Sequence, residues 1–216
     1  MSKNTNYSTV LWDWNGTVLN DLDATMQAVN DLLAVYEKPP ITLEQYYSYI
    51  DTPIYKFYEH IFDLSVVTME MIKPIYGKAY ADREGMIALT RGAEEALRSL
   101  EKAGKKQYIL SAAHIDDVVI YTEKYGITDV FRRIEAAADY EAGSKIERGK
   151  RLMLEEGIDP SSCVMIGDTL HDLETANALG VDCILFSGGH TDYATLAKTG
   201  VPTCTSFGEI MELITG

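Results

Sequence analysis

Asp13 stands where a short apolar run, Thr9 to Trp12, gives way to the turn Asn15-Gly16-Thr17. A carboxylate delivered to the end of a buried strand can act as a nucleophile or ligate a metal ion. A lone Asp there caps a turn equally well. A second run, Cys163 to Ile166, leads through Gly167 to Asp168, and Asp172 follows where a helix starts. Acids at a helix start suit its dipole, so these two also have a purely structural account. However, both runs read as strands of one parallel sheet, which puts Asp13 and Asp168 at the same edge. Two carboxylates gathered there repel unless a cation lies between them. Oxygen ligands beside water and phosphate favour Mg²⁺.

Two further groups belong with them. Ser111 ends the run Gln107 to Leu110, and Lys145 opens a helix after a weaker strand candidate, Val130 to Ala136. A hydroxyl and an ammonium at that edge can bind phosphate oxygens and neutralise charge in a transition state. Each alone is an ordinary cap or surface side chain. The ordered set of Asp, Ser, Lys and Asp-x3-Asp on successive strand ends is far more specific. Arg148, Lys150 and Arg151 read as a solvated helix face.

The elements that must position these residues alternate. Thr9 to Trp12, Gln107 to Leu110, Cys163 to Ile166 and Cys183 to Phe186 are short and unbroken, as strands buried on both faces are. Between them lie helical patterns. Ala93, Ala96, Leu97, Leu100 and Ala103 share one face closed by Gly104, Ile146 to Glu156 ends at Gly157, and Leu170 to Leu179 ends at Gly180. This predicts an α/β fold, a doubly wound parallel sheet of Rossmann type with ligands at the carboxyl ends of its strands. One stretch departs from it. Residues 21–85 show helical patterns only: Ala24 to Tyr36 stopped by Pro39-Pro40, Thr42 to Ile50 with Thr42 and Gln45 spaced as a capping box, Ile54 to Phe62, and Thr68 to Tyr80. The expected division is therefore a core of 1–20 with 86–216 and an all-helical cap of 21–85 inserted after the first strand. The cap holds eight of the fourteen tyrosines, whose rings mostly serve as its own core.

Composition narrows the function. A net charge of −14 disfavours nucleic-acid backbones, which need a basic surface. No apolar run approaches the roughly 20 residues that span a bilayer, and the N-terminus carries no signal-peptide pattern. Cys163, Cys183 and Cys204 are far apart and odd in number, which suits reduced, buried thiols in a cytoplasmic protein. No GxGxxG follows the first strand, which disfavours a dinucleotide site.

The segments Asp13-Trp14-Asn15-Gly16-Thr17-Val18, Ser111, Lys145 and Gly167-Asp168-Thr169-Leu170-His171-Asp172 resemble the four motifs of the haloacid dehalogenase (HAD) superfamily. The resemblance covers nearly the whole chain. The helical insertion is similar to the C1 cap of the phosphoglycolate phosphatase and β-phosphoglucomutase branch. A receiver domain also uses Asp, Ser/Thr and Lys, but carries no insertion of this kind. The resemblance implies a phosphatase acting on a small phosphorylated metabolite with Mg²⁺. Asp13 would be the nucleophile and a metal ligand. Ser111 and the N–H of Ala112 would hold the phosphoryl group, and Lys145, with Lys150 as its rival, would screen it. Asp168 and the carbonyl of Asn15 would bind the metal, with Asp172 supporting that set.

Asn15 departs from the family, whose general acid and base falls at this position. An amide cannot shuttle a proton, and that catalysis is worth about 10² to 10⁴ in rate. The chain is therefore expected to be slow, to use a good leaving group, or to use another donor, with His114 and His171 the candidates. The alternatives are a phosphomutase or a weakened homologue that binds a phosphorylated ligand.

Overall fold

The computed structural model describes residues 7–138 and 144–216. In chain order the elements are β1 (Thr9–Trp12), β2 (Leu19–Asn20), α1 (Leu22–Val35), α2 (Leu43–Tyr49), α3 (Tyr55–Glu59), α4 (Met69–Ala81) and β3 (Ala88–Leu89). There follow α5 (Ala93–Lys102), β4 (Lys106–His114), α6 (Ile115–Lys124), β5 (Arg133–Ala137), α7 (Lys145–Glu156), β6 (Cys163–Gly167), α8 (Leu170–Leu179), β7 (Asp182–Phe186), α9 (Tyr193–Ala197), β8 (Thr203–Cys204) and α10 (Phe207–Thr215). They divide into two compact units. One joins the described residues up to Leu19 with those from Leu89 onward, and the other is Asn20–Ala88.

The first unit is built on a six-stranded sheet in the order β5-β4-β1-β6-β7-β8. Its neighbours pair in parallel throughout. Chain direction across the sheet reverses between β1 and β6, and such a switch point opens a crevice at the carboxyl ends of the strands. β1 and β6 are buried at every position, which explains their unbroken apolar sequences. On one face Leu11, Tyr108, Leu110, Met165 and Leu185 join Leu152 of α7 and Ala176 and Leu179 of α8. On the other, Trp12 stacks on Phe207 of α10 with centroids 5.6 Å apart. All three cysteines are buried and free.

Several elements differ in extent from the sequence reading. β5 starts at Arg133, because Thr128–Val130 form a turn of 3₁₀ helix first. Helices α9 and α10 and strand β8 extend the unit beyond the last patterned run. α1 ends at Val35, before Pro39-Pro40: Glu37 takes a left-handed φ of 53° and Lys38 N–H donates to Leu33 O at 2.9 Å. The helix is closed by its own backbone, and the prolines come after that closure.

The second unit is helical apart from its ends in β2 and β3, which pair with each other. α2 carries the capping box, with Gln45 N–H donating to Thr42 Oγ1 at 3.2 Å and Thr42 N–H to Gln45 Oε1 at 2.9 Å. Its core gathers Leu32, Leu33, Tyr46, Phe57, Tyr58, Phe62 and Ile72. Tyr55 is exposed, so not every ring serves that core. No helix among the described residues is long and apolar enough to cross a membrane.

Candidate active site

Asp13 leaves β1 with its backbone still in the ladder, its N–H donating to Ile166 O at 2.8 Å. The chain then turns sharply, Leu19 N–H donating to Trp14 O at 2.9 Å and Gly16 N–H to Leu19 O at 2.8 Å. Gly16 sits at φ +74°, and a Cβ there would collide with the Asp168 carboxylate and the His190 ring. Both φ and space therefore demand glycine. Asn15 is half-buried and bridges Leu19 within this turn.

The turn brings Asp13 to Asp168 and Asp172. The three carboxylates are buried, and a ligand oxygen from each lies within 4.8 Å of the others. Lys145 is buried among them. Its Nζ donates to Asp13 Oδ1 and, at 2.6 Å, to Asp172 Oδ1. Ser144 caps α7 in a capping box with Glu147, which fixes where Lys145 enters. Asp172 Oδ2 accepts from Thr169 N–H at 3.0 Å and Thr169 Oγ1 at 2.7 Å. Asp168 Oδ1 accepts from Thr17 Oγ1 at 2.9 Å, and its Oδ2 from the backbone N–H of His190 at 2.6 Å.

These contacts set the charges. Burial pushes the Asp13 carboxyl well above the usual range, and Lys145 only partly offsets this while Asp172 and Asp168 add to it. Burial likewise pushes Asp168 up to about 6, against the pull of His190. Asp172 goes the other way: burial raises it, but Lys145 and Thr169 outweigh that and hold it low. Lys145 loses to burial and gains more from Asp13 and Asp172, so it stays charged. Three carboxylates facing one ammonium leave a formal excess of negative charge. An all-oxygen donor set with that excess fits a hard divalent cation.

Ser111 is buried, and its Oγ accepts from Ala113 N–H at 3.0 Å, while Ala112 is exposed. Lys150 is exposed on α7 and lines a shallow apolar groove of about 410 Å³ with Met153, Leu154 and Leu179, apart from the carboxylates. His114 Nδ1 accepts from Asp116 N–H at 3.3 Å as the cap of α6. His171 Nδ1 faces Glu174 Oε2 at 3.3 Å.

The sequence reading missed three contributors. Thr17 links Asp13 and Asp168, its Oγ1 lying 3.4 Å from Asp13 Oδ2. The segment Gly188-Gly189-His190 folds back after β7, and a Cβ on Gly189 would collide with Asp168 and the Gly16 carbonyl. Paired glycines just past a buried strand were the available signal. Arg148 is buried, and does not belong to a solvated face as expected, because α7 turns the side carrying Lys145 and Arg148 inward.

A parallel α/β sheet with an acidic cluster at its topological switch point defines a class of strand-edge enzymes, and comparison with known proteins identifies the family. The haloacid dehalogenase-like hydrolases match residues 10–186, and the chain belongs to that family. Phosphoglycolate phosphatase 1 of Pseudomonas aeruginosa is 21% identical over 88% of this chain and 72% of its own length. The phosphoglycolate phosphatase of Pseudomonas savastanoi pv. phaseolicola is 23% identical over 88% of this chain and 72% of its own. Among solved structures, a haloacid dehalogenase-like hydrolase from Streptococcus pneumoniae superposes with a TM-score of 0.82 at 16% identity, covering 95% of this chain and 97% of that one.

Proposed function

We propose that this enzyme is a Mg²⁺-dependent phosphatase that hydrolyses a small phosphorylated metabolite through an aspartyl-phosphate on Asp13. The observation that carries the reading is the buried Asp13–Lys145 pair beside Asp168 at the sheet's switch point. Asp13, Asp168 and the carbonyl of Asn15 would hold Mg²⁺, with Asp172 behind them, and the ion would supply charge neutralisation for the transferring phosphoryl group.

The protein's own groups do the rest. An Asp13 oxygen attacks phosphorus, the ester P–O bond breaks, and the leaving oxygen takes up a proton. Ser111 Oγ and the Ala112 N–H bind phosphoryl oxygens as charge redistributes. Lys145 offsets the negative charge between Asp13 and the phosphate, and its second bond to Asp172 keeps it aimed. Water then attacks the phospho-enzyme, the Asp13–phosphate bond breaks, and orthophosphate leaves. Asn15 supplies no proton in either half, so both halves depend on solvent or on the leaving group. The helical unit, Asn20–Ala88, would select the substrate.

Asn15 also favours a second reading, a weakened homologue that binds a phosphorylated ligand and turns it over poorly. Phosphate release from a panel of phosphometabolites with Mg²⁺, run on wild type and Asp13→Ala, tests the first. Loss of all release in Asp13→Ala supports it, and wild-type turnover in that variant would refute covalent catalysis. Tight binding without release in wild type would select the second reading.

A further inference from the structure

Arg148 lies one helical turn after Lys145 on α7 and is 5% exposed. Its Nη2 donates to the carbonyl oxygen of Ser111 at 2.9 Å. Ser111 falls in a break of sheet register, because β4 and β5 pair at Leu110↔Glu135 and next at His114↔Ala137. Within that break a side chain, not a regular ladder, fixes the carbonyl.

In a planar trans peptide the C=O of one residue and the N–H of the next point in opposite directions. A guanidinium holding the Ser111 oxygen therefore turns the Ala112 N–H away from itself and polarises it as a donor. Ala112 is exposed while Ser111 and Arg148 are buried. We infer that Arg148 is a positioning residue for phosphate binding, fixing the Ser111–Ala112 peptide plane so that the Ala112 N–H is already aimed at the phosphoryl oxygens.

The surroundings suit this role. Glu135 on β5 is buried, and accepts from Arg133 Nη2 at 2.7 Å and from Arg151. Burial pulls the Arg148 guanidinium down, and the charge of Glu135 works against that pull. A guanidinium keeps its charge under such burial and presents planar donors, whereas an ammonium is a strongly hydrated point charge. Arg148 acts through the peptide and need not touch substrate.

The inference rests on the phosphatase reading, and its test separates the two. In Arg148→Met, inhibition by orthovanadate should weaken about tenfold, with kcat/KM falling similarly. Removing a preorganised donor outright costs about 10² to 10³, and this change only loosens one. The Mg²⁺ concentration for half activation should stay as in wild type, and the Ala112 amide ¹⁵N resonance should move upfield. Arg148→Lys, which returns a cationic donor, should recover part of both effects. A folded Arg148→Met with vanadate inhibition within twofold of wild type would overturn the inference. If Arg148→Met does not fold, Arg148→Lys decides, and wild-type vanadate inhibition with an unmoved Ala112 resonance overturns it. If wild type releases no phosphate from any monoester, the phosphatase reading fails, and the Ala112 resonance alone judges Arg148.

Discussion

Replacing Asp168 by Asn should stabilise the metal-free protein while disabling metal binding. Burial, with a smaller push from Asp172, lifts the Asp168 carboxyl to about 6, roughly two units above its ordinary value near 4. At neutral pH that amounts to about 3 kcal/mol of instability. Asn carries no charge, but its Nδ2 must face one of two donors, Thr17 Oγ1 or His190 N–H. Thr17 lies 3.4 Å from Asp13 Oδ2 and can turn its hydroxyl there, which limits the loss to about 1 kcal/mol. The net gain is about 2 kcal/mol, or roughly 4–8 °C in Tm for a chain of this size. Thermal unfolding at pH 7.5 in EDTA measures it. The sign with pH follows from the raised folded-state value. Between about 4 and 6 the folded wild type binds more protons than the unfolded chain, so its stability falls as pH rises through that window. The variant's advantage should be full above pH 6, cross zero between about pH 4 and 5, and become a deficit approaching about 1 kcal/mol below that, where only the lost hydrogen bond remains. Mg²⁺ at 100 times its Kd should stabilise wild type by about 2.7 kcal/mol and the variant far less. An Asp168→Asn protein that melts no higher than wild type in EDTA, or gains as much from Mg²⁺, would refute this reasoning.

Three other outcomes are expected. Asn15→Asp should speed turnover at least tenfold (~10¹, the lower part of the range for general acid–base catalysis) on an alkyl phosphate and less on p-nitrophenyl phosphate, as paired steady-state assays would record. Gly189→Ala should push Asp168 and the Gly16 turn apart, costing about 1–3 kcal/mol in denaturant unfolding and raising the Mg²⁺ requirement. Lys145→Met leaves Asp13 and Asp172 without their shared cation, so phosphate release should fall by more than tenfold (~10¹ or beyond, by loss of electrostatic stabilisation) while Mg²⁺-dependent stabilisation persists.

The strands bearing Asp13, Ser111 and Asp168 were legible because each is buried on both faces and needs an unbroken apolar run. Lys145 was legible from its place at a helix start. Arg148 was not, although its spacing from Lys145 puts both on one side of a helix; its charge pointed toward solvent, whereas its guanidinium turns inward to the Ser111 carbonyl. His190 escaped because the paired glycines after β7 mark a turn without saying that it folds back onto Gly16. That contact joins strands distant in sequence, and periodicity carries no information about it. Asn15 was legible as a departure from the motif that it sits in.

The helical unit is one continuous stretch, Asn20–Ala88, whereas the sheet unit is made of two separated pieces. Translation therefore completes the first before β4 exists, at about 5–20 residues per second. A growing chain holds β1 with neither sheet neighbour, and Asp13 waits 132 residues for Lys145. During those seconds four fully buried positions, Thr9 to Trp12, stand open to wrong partners. Domains generally fold as units during synthesis, the N-terminal one first, so those helices are the part of the young chain that can gather while its apolar strand is still alone.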